Sequence, residues 1–150
     1  ELDGLDSQDG VYVIAATNHP WDVDPALKRP GRFDRTVLIT PPDLAARVYI
    51  LERHMSEKPS DGLDFQTLAA KTHGFSGADL VHLADTAVEQ VLDEILSGKP
   101  QRSVTMADFG AALREVQPST RPWTEMARNY ALYANEGGAY DDLADWLKKH

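Results

Sequence analysis

From Val11 to Ala16 the chain runs Val-Tyr-Val-Ile-Ala-Ala, an unbroken apolar stretch between Gly10 and the turn-forming Asn18-His19-Pro20. Six residues are too few for a helix, and such a run reads as a strand covered on both faces of a parallel sheet. A second short run, Thr36-Val37-Leu38-Ile39, is stopped by Pro41-Pro42 and predicts another strand. Between them Asp24 precedes Pro25, the arrangement of an N-cap with proline at the first helical position, so a helix of one or two turns is expected.

From Asp43 onward the apolar period changes from continuous to helical. Leu44, Val48, Leu51 and Met55 share one face of a helix capped by Asp43. Asp64 opens a short helix expected to end at Gly74. Ser76 with Asp79 and Thr105 with Asp108 have the spacing of capping boxes, predicting a long helix through Leu96 and another through Val116. The stripe of the long helix is Leu80, Leu83, Ala84, Ala87, Val91 and Ile95. After Pro118, Trp123, Met126, Ala127, Tyr130 and Ala134 recur at helical spacing, and Gly137-Gly138 separates them from a last helix carrying Tyr140, Leu143 and Leu147. That aromatic stripe reads as the core face of a hairpin docked on its own module. The expected fold class is therefore α/β at the start, two strands of a parallel sheet, followed by an all-α remainder.

Composition narrows the functional classes. The 150 residues are 42% hydrophobic and 26% charged, ordinary for a globular chain with a core. No apolar run reaches the ~18 to 20 residues of a membrane span, and the acidic opening from Glu1 to Asp9 is unlike a signal peptide. With no cysteine there is neither a disulfide framework nor a thiolate metal site, which fits a reducing compartment and makes the cytoplasm the expected location. The net charge of −9 is spread along the chain without a basic patch, which argues against a nucleic-acid partner. The five histidines show no metal-ligand spacing, so no metal site is expected. Asp141, Asp142 and Asp145 read as favourable charge at a helix start, not a calcium loop.

Two segments carry candidate chemistry. Asn18 directly follows the first strand, and in open α/β sheets ligands bind beyond the carboxyl ends of strands. Its carboxamide can donate to a phosphate oxygen and accept from a water, although a turn residue would read the same way. Next, Lys28, Arg29, Arg32 and Arg35 cluster around the turn Pro30-Gly31 in an otherwise acidic chain. A guanidinium fork can grip phosphate oxygens bidentately, and a solvated basic turn is the alternative.

The run Ala-Ala-Thr-Asn-His-Pro at 15 to 20, followed by Asp-Pro-Ala-Leu-Lys-Arg-Pro-Gly-Arg-Phe-Asp-Arg at 24 to 35, resembles the second region of homology of classic-type AAA ATPases. His73-Gly74-Phe75-Ser76-Gly77-Ala78-Asp79-Leu80 resembles the nucleotide-contact motif of their helical lid, and the likeness extends from residue 1 to about 117. It implies that Asn18 is the first sensor, holding the attacking water or the γ-phosphate. It also implies that Arg29 and Arg32 are arginine fingers reaching ATP on a neighbouring subunit. His54 would lie near the adenine, and Gly77 and Ala78 would form the tight helix start against base and ribose. ATP with magnesium is the implied cofactor. A head-to-tail ring of six subunits is the implied assembly, and a protein substrate, remodelled or unfolded, is the implied target.

The implied domains are residues 1–43 as the end of the large α/β subdomain, 44–117 as the lid, and 118–150 as a C-terminal helical hairpin. His19 and Trp21 depart from the usual residues and read as family variation; Ala78 stands where other branches place a second sensor arginine. The tail is similar to that of meiotic-type relatives, the severing and endosomal-sorting ATPases, in position and helical character.

No Gly-x-x-x-x-Gly-Lys-Ser/Thr loop occurs in these residues, so the chain is expected to begin inside a domain and, alone, neither to bind ATP tightly nor to hydrolyse it. No His-Glu-x-x-His motif follows the lid, which argues against a membrane zinc-protease relative. The competing functions are a nucleotide-regulated, non-hydrolytic scaffold, which intact Asn18, Arg29 and Arg32 oppose, and an ATP-dependent nucleic-acid remodeller, which the charge opposes. Without the rest of a sheet, Val11 to Ala16 would expose apolar faces, so a stable lid and a poorly held or swapped N-terminal segment are expected.

Overall fold

The computed structural model describes residues 12–135, 138 and 140–149. Among them lie six α-helices: α1 (Leu44–Met55), α2 (Phe65–Lys71), α3 (Gly77–Leu96), α4 (Met106–Glu115), α5 (Arg121–Tyr133) and α6 (Asp141–Lys149). The chain divides into two compact units, one of residues Thr40–Thr124 and one made of the segments before and after it.

In the unit Thr40–Thr124, helix starts follow the side chains that satisfy otherwise unpaired N–H groups. The carboxylate of Asp43 accepts from Ala46 N (2.8 Å), that of Asp64 from Thr67 N (3.0 Å), and Ser76 and Asp79 close a reciprocal capping box at α3. At α4, Asp108 accepts from both the N–H and the hydroxyl of Thr105. Helix α2 ends at Lys71, short of Gly74, with Thr72 as its C-cap donating its N–H to Ala69 O and its hydroxyl to the carbonyls of Leu68 and Ala69. Gly74 then takes a left-handed φ of 79°, which a glycine tolerates without strain.

Helix α3 runs through the centre of this unit. Leu80, Leu83, Ala84, Ala87 and Val91 are buried against Leu51 and Met55 of α1, Leu68 of α2 and Phe109 and Ala112 of α4, and Ile95 packs at the edge. On α1, Val48, Leu51 and Met55 are buried as expected, whereas Leu44 in the first turn is exposed. A parallel bridge between Ser60 and Val104 ties the loop after α1 to the loop before α4, with Val104 N donating to Pro59 O and Asp61 N to Val104 O, both at 2.9 Å. Buried Arg47 donates to Ala69 O at 3.0 Å and to Pro42 O at 2.8 Å, fixing the linker prolines to this unit.

In the other unit, Asp24 accepts from Ala26 N (2.8 Å) and Pro25 opens a single 3₁₀-helix, Pro25–Lys28, the short helix the sequence predicts. The two predicted strands are not formed among the described residues: 12–16 and 36–39 belong to no regular element. A strand needs a neighbour for its N–H and C=O groups, and among the described residues neither run has one in a ladder. Their side chains are correspondingly open, with Ile14 93% and Ile39 83% exposed. Val11 lies outside the described residues. Ala127, Ala131, Leu143 and Leu147 are buried, while Met126 is exposed, so the core face of α5 is displaced from the expected stripe. Asn135 links α5 to α6 by donating to Asp141 (2.8 Å) and accepting from Tyr140 N (2.8 Å). Gly137 lies outside the described residues, and Gly138 has a left-handed φ of 76°.

Candidate functional site

Asn18 lies exposed, two residues after the apolar run 12–16. The loop that follows is braced by its own polar groups. The N–H of His19 donates to the Thr17 hydroxyl (3.0 Å), Lys28 Nζ donates to Pro20 O (2.6 Å), and Phe33 N donates to Leu27 O (3.0 Å). Gly31, at a φ of 83°, allows the turn in which Arg32 N reaches Arg29 O (3.1 Å). The guanidinium of half-buried Arg32 donates to Ala26 O at 3.0 Å, whereas Arg29 is exposed. Arg29 and Arg32 are therefore held on one turn, three residues apart, in the loop that starts at Asn18.

Trp21 has a contact that sequence reasoning missed. Its indole stacks on the ring of Tyr130 in α5, centroids 4.4 Å apart and planes 6° from parallel, while His19 meets the indole edge-on at 5.5 Å. Offset or parallel aromatic pairs of this kind add about 0.5–1.5 kcal/mol beyond area burial. Burial, with the nearby Tyr130 and Asp22, raises the pKa of the Tyr140 phenol. A large aromatic residue after Pro20 was the available signal, but its partner lies more than a hundred residues away.

The second group of candidate residues lies where α1 packs on α3. Ile50 and His54 are spaced by four on α1, as Gly77, Val81 and Asp85 are on α3, so each set lies along one helix face, and Lys58 follows in the turn after α1. His54 Nε2 is 2.8 Å from Asp85 Oδ1, and Lys58 Nζ is 2.6 Å from the same oxygen and 2.7 Å from Nε2. One nitrogen cannot both donate to Asp85 and accept from Lys58, so the imidazole proton decides which bond is made. The ammonium of Lys58 foremost, with His54, holds the Asp85 carboxyl below the usual carboxylate range against a smaller desolvation effect.

Beside this triad an open groove of about 630 Å³ is lined by Tyr49, Ile50, Arg53, His54, Lys58 and Val81. A Cβ placed on Gly77 would lie 4.0 Å from Ile50 Cδ1, an ordinary contact, so the packing of α1 on α3 does not itself demand glycine there. Ala78, the next residue, is exposed. His54 thus lines the groove with planar Tyr49, the cations Arg53 and Lys58 and the anion Glu57, and Gly77 meets it only through Ile50. Lys58 was legible as the position one turn after His54; Asp85 was not, since its partnership depends on helix register. Among the described residues no group of three or more His, Asp or Glu could hold a metal ion.

The family model "ATPase family associated with various cellular activities (AAA)" matches residues 1–41, and that of the AAA+ lid domain matches residues 62–110. The chain belongs to the AAA family, as the C-terminal part of a classic-type AAA+ ATPase module with its helical lid. Among curated proteins it is 45% identical over 117 residues to the ATP-dependent zinc metalloprotease FtsH of Caulobacter vibrioides, covering 77% of this chain and 18% of the relative. It is 42% identical over 145 residues to FtsH of Chloroflexus aggregans (93% and 21%) and 39% identical over 145 residues to that of Halothermothrix orenii (93% and 22%).

The chain therefore spans about a fifth of the length of these relatives. The expectation that it stands apart from zinc-protease relatives is corrected: the relatives it resembles carry that name. A His-Glu-x-x-His motif missing from a stretch a fifth their length says nothing about the rest of them. No helix among the described residues is long and apolar enough to cross a membrane.

Proposed function

We propose that this chain is part of an ATP-hydrolysing ring ATPase that remodels or unfolds protein substrates in the cytoplasm. The observation that carries the reading is the braced loop from Asn18 to Phe33, which holds an amide and two guanidinium groups just after the apolar run 12–16. Such groups can orient water and neutralise charge spreading over the oxygens of a transferred phosphoryl group. Asn18 orients the attacking water, and Arg29 and Arg32 reach the ATP of an adjacent subunit in a head-to-tail hexamer. The groove at His54 takes the adenine and ribose, with Gly77 and Ala78 at the neighbouring start of α3. The imidazole there is steered by Asp85 and Lys58, so the ring is oriented before nucleotide arrives.

ATP supplies the phosphoryl group that is transferred. In this reading ATP and magnesium are bound mainly by residues outside this chain. Residues 1–43 complete the large subdomain, 44–117 form the lid and 118–150 the C-terminal hairpin. In the complete module, residues 12–16 and 36–39 pair into the central parallel sheet, which covers the apolar side chains they now expose. By itself the 150-residue chain is inactive.

Asn18→Ala in the full-length protein tests the reading. ATP turnover is expected to fall at least about a hundredfold, the size of effect seen when a preorganised polar group at a reacting centre is removed, with nucleotide affinity within about threefold. Unchanged turnover in this variant removes Asn18 from the mechanism.

A further inference from the structure

Helix α3 is already capped by its own residues. Ser76 N donates to Asp79 Oδ2 at 2.8 Å, and Asp79 N donates to the Ser76 hydroxyl at 3.1 Å. A capping box needs no further partner to start a helix. Yet the same Asp79 oxygen also accepts from Ser119, through the backbone N–H at 3.1 Å and the hydroxyl at 3.0 Å. The next residue, Thr120, donates its hydroxyl to the carbonyl of Gly74. Two consecutive residues just after α4 thus grip both sides of the turn Gly74–Asp79.

The electrostatics agree with the geometry. Burial pushes the Asp79 carboxyl up, but the hydrogen bonds from Ser76 and Ser119 outweigh it and hold the group below its ordinary value, so it stays an acceptor. A Cβ on Gly74 would sit 3.9 Å from Thr120 Oγ1, and the left-handed φ of Gly74 admits few other residues. Within the gripped turn, Gly77 faces Ile50, which lines the groove beside His54.

We propose that Ser119 and Thr120 are positioning residues for the nucleotide-contact turn: they set where the backbone of Gly77 and Ala78 stands against Ile50 at the edge of the groove that His54 lines, and so set affinity for an adenine nucleotide. This rests on the reading of that groove as the base and ribose contact. Neither residue touches the nucleotide. Their effect is on binding, because the reacting phosphates are handled elsewhere.

The test is made in the full-length protein with Ser119→Ala/Thr120→Val, the single variants, and Thr120→Ser, which keeps the hydroxyl. Losing two side-chain hydrogen bonds that hold the turn is expected to raise KM for ATP and Kd for a fluorescent ADP analogue about tenfold, with kcat within about twofold. Thr120→Ser is expected to behave as the unmodified protein. Amide exchange is expected to speed up at residues 74–80 and to stay unchanged in α4, which separates loosening of the turn from failure to fold. Faster exchange at 74–80 with KM and Kd unmoved would reduce the pair to a purely structural clasp and overturn the proposal, as would unchanged exchange. If the unmodified protein binds no adenine nucleotide, the groove reading fails and takes this proposal with it, even where exchange shows that the clasp exists.

Discussion

Asp108 carries the most concentrated polar network in the lid. Its buried carboxylate accepts two bonds from the Arg102 guanidinium at 2.8 Å, and Thr105 adds its N–H (2.8 Å) and its hydroxyl (2.9 Å). Arg102 also reaches Glu94 of α3 at 2.8 Å, so one side chain joins two helices. Arg102 foremost, with Thr105, holds the Asp108 carboxyl well below the usual carboxylate range. Replacing Asp108 by alanine leaves Arg102 and Thr105 without their acceptor and is expected to destabilise the lid by about 2–4 kcal/mol in urea denaturation. The pH dependence has a definite sign. A carboxyl lowered on folding contributes stability that is complete above its unfolded value, near about 3.9, and is lost as pH falls through the folded value. Asp79, Asp85 and Asp108 are all lowered, so the denaturation midpoint should decline as pH drops below about 5 and keep declining well under 4. Asp108→Asn should flatten that acid limb; an unaltered slope would mean that another group controls it.

At the scale of elements, the helices were legible because their signals are local. Asp43, Asp64, Ser76 and Thr105 each mark a helix start by bonds made within one turn, and the α3 stripe from Leu80 to Val91 is the buried face. Leu83→Ala, at the fully buried centre of that stripe, is expected to cost about 2–5 kcal/mol, measurable as a lowered melting temperature. The strands were a different matter. Val11 to Ala16 and Thr36 to Ile39 have strand composition, but a strand is completed by partners that composition cannot supply, and residues 12–16 and 36–39 join no ladder among the described residues. An apolar extended segment invites pairing with another chain. Ile14→Lys with Ile39→Lys should therefore lower self-association of the 150-residue chain, seen by light scattering, while leaving the lid's melting temperature unchanged. Equal scattering in the variant would locate the sticky surface elsewhere. Trp21 teaches the same lesson at a loop: its stack on Tyr130 is a long-range contact, invisible to periodicity.

For the whole molecule, the candidate site is legible in two pieces of unequal kind. Asn18, Arg29 and Arg32 belong to one continuous motif, and the loop that holds them is braced by bonds between near neighbours. His54 and Gly77 come from separate helices, and their link through Ile50 emerges only from the packing of α1 on α3, as do the Asp85 and Lys58 contacts to the imidazole. Membership of the AAA family follows from the two family matches. If guanidinium groups act on the nucleotide of a neighbour, catalysis is a property of the assembly. The most direct measurement is ATP turnover by the full-length protein as a function of its concentration, for the unmodified chain, for Arg32→Ala and for mixtures of the two. Turnover per subunit should rise with assembly, fall by about a thousandfold or more in the variant while nucleotide still binds, and drop in mixtures as variant subunits enter the ring. Turnover that is independent of concentration and indifferent to Arg32 would contradict the account.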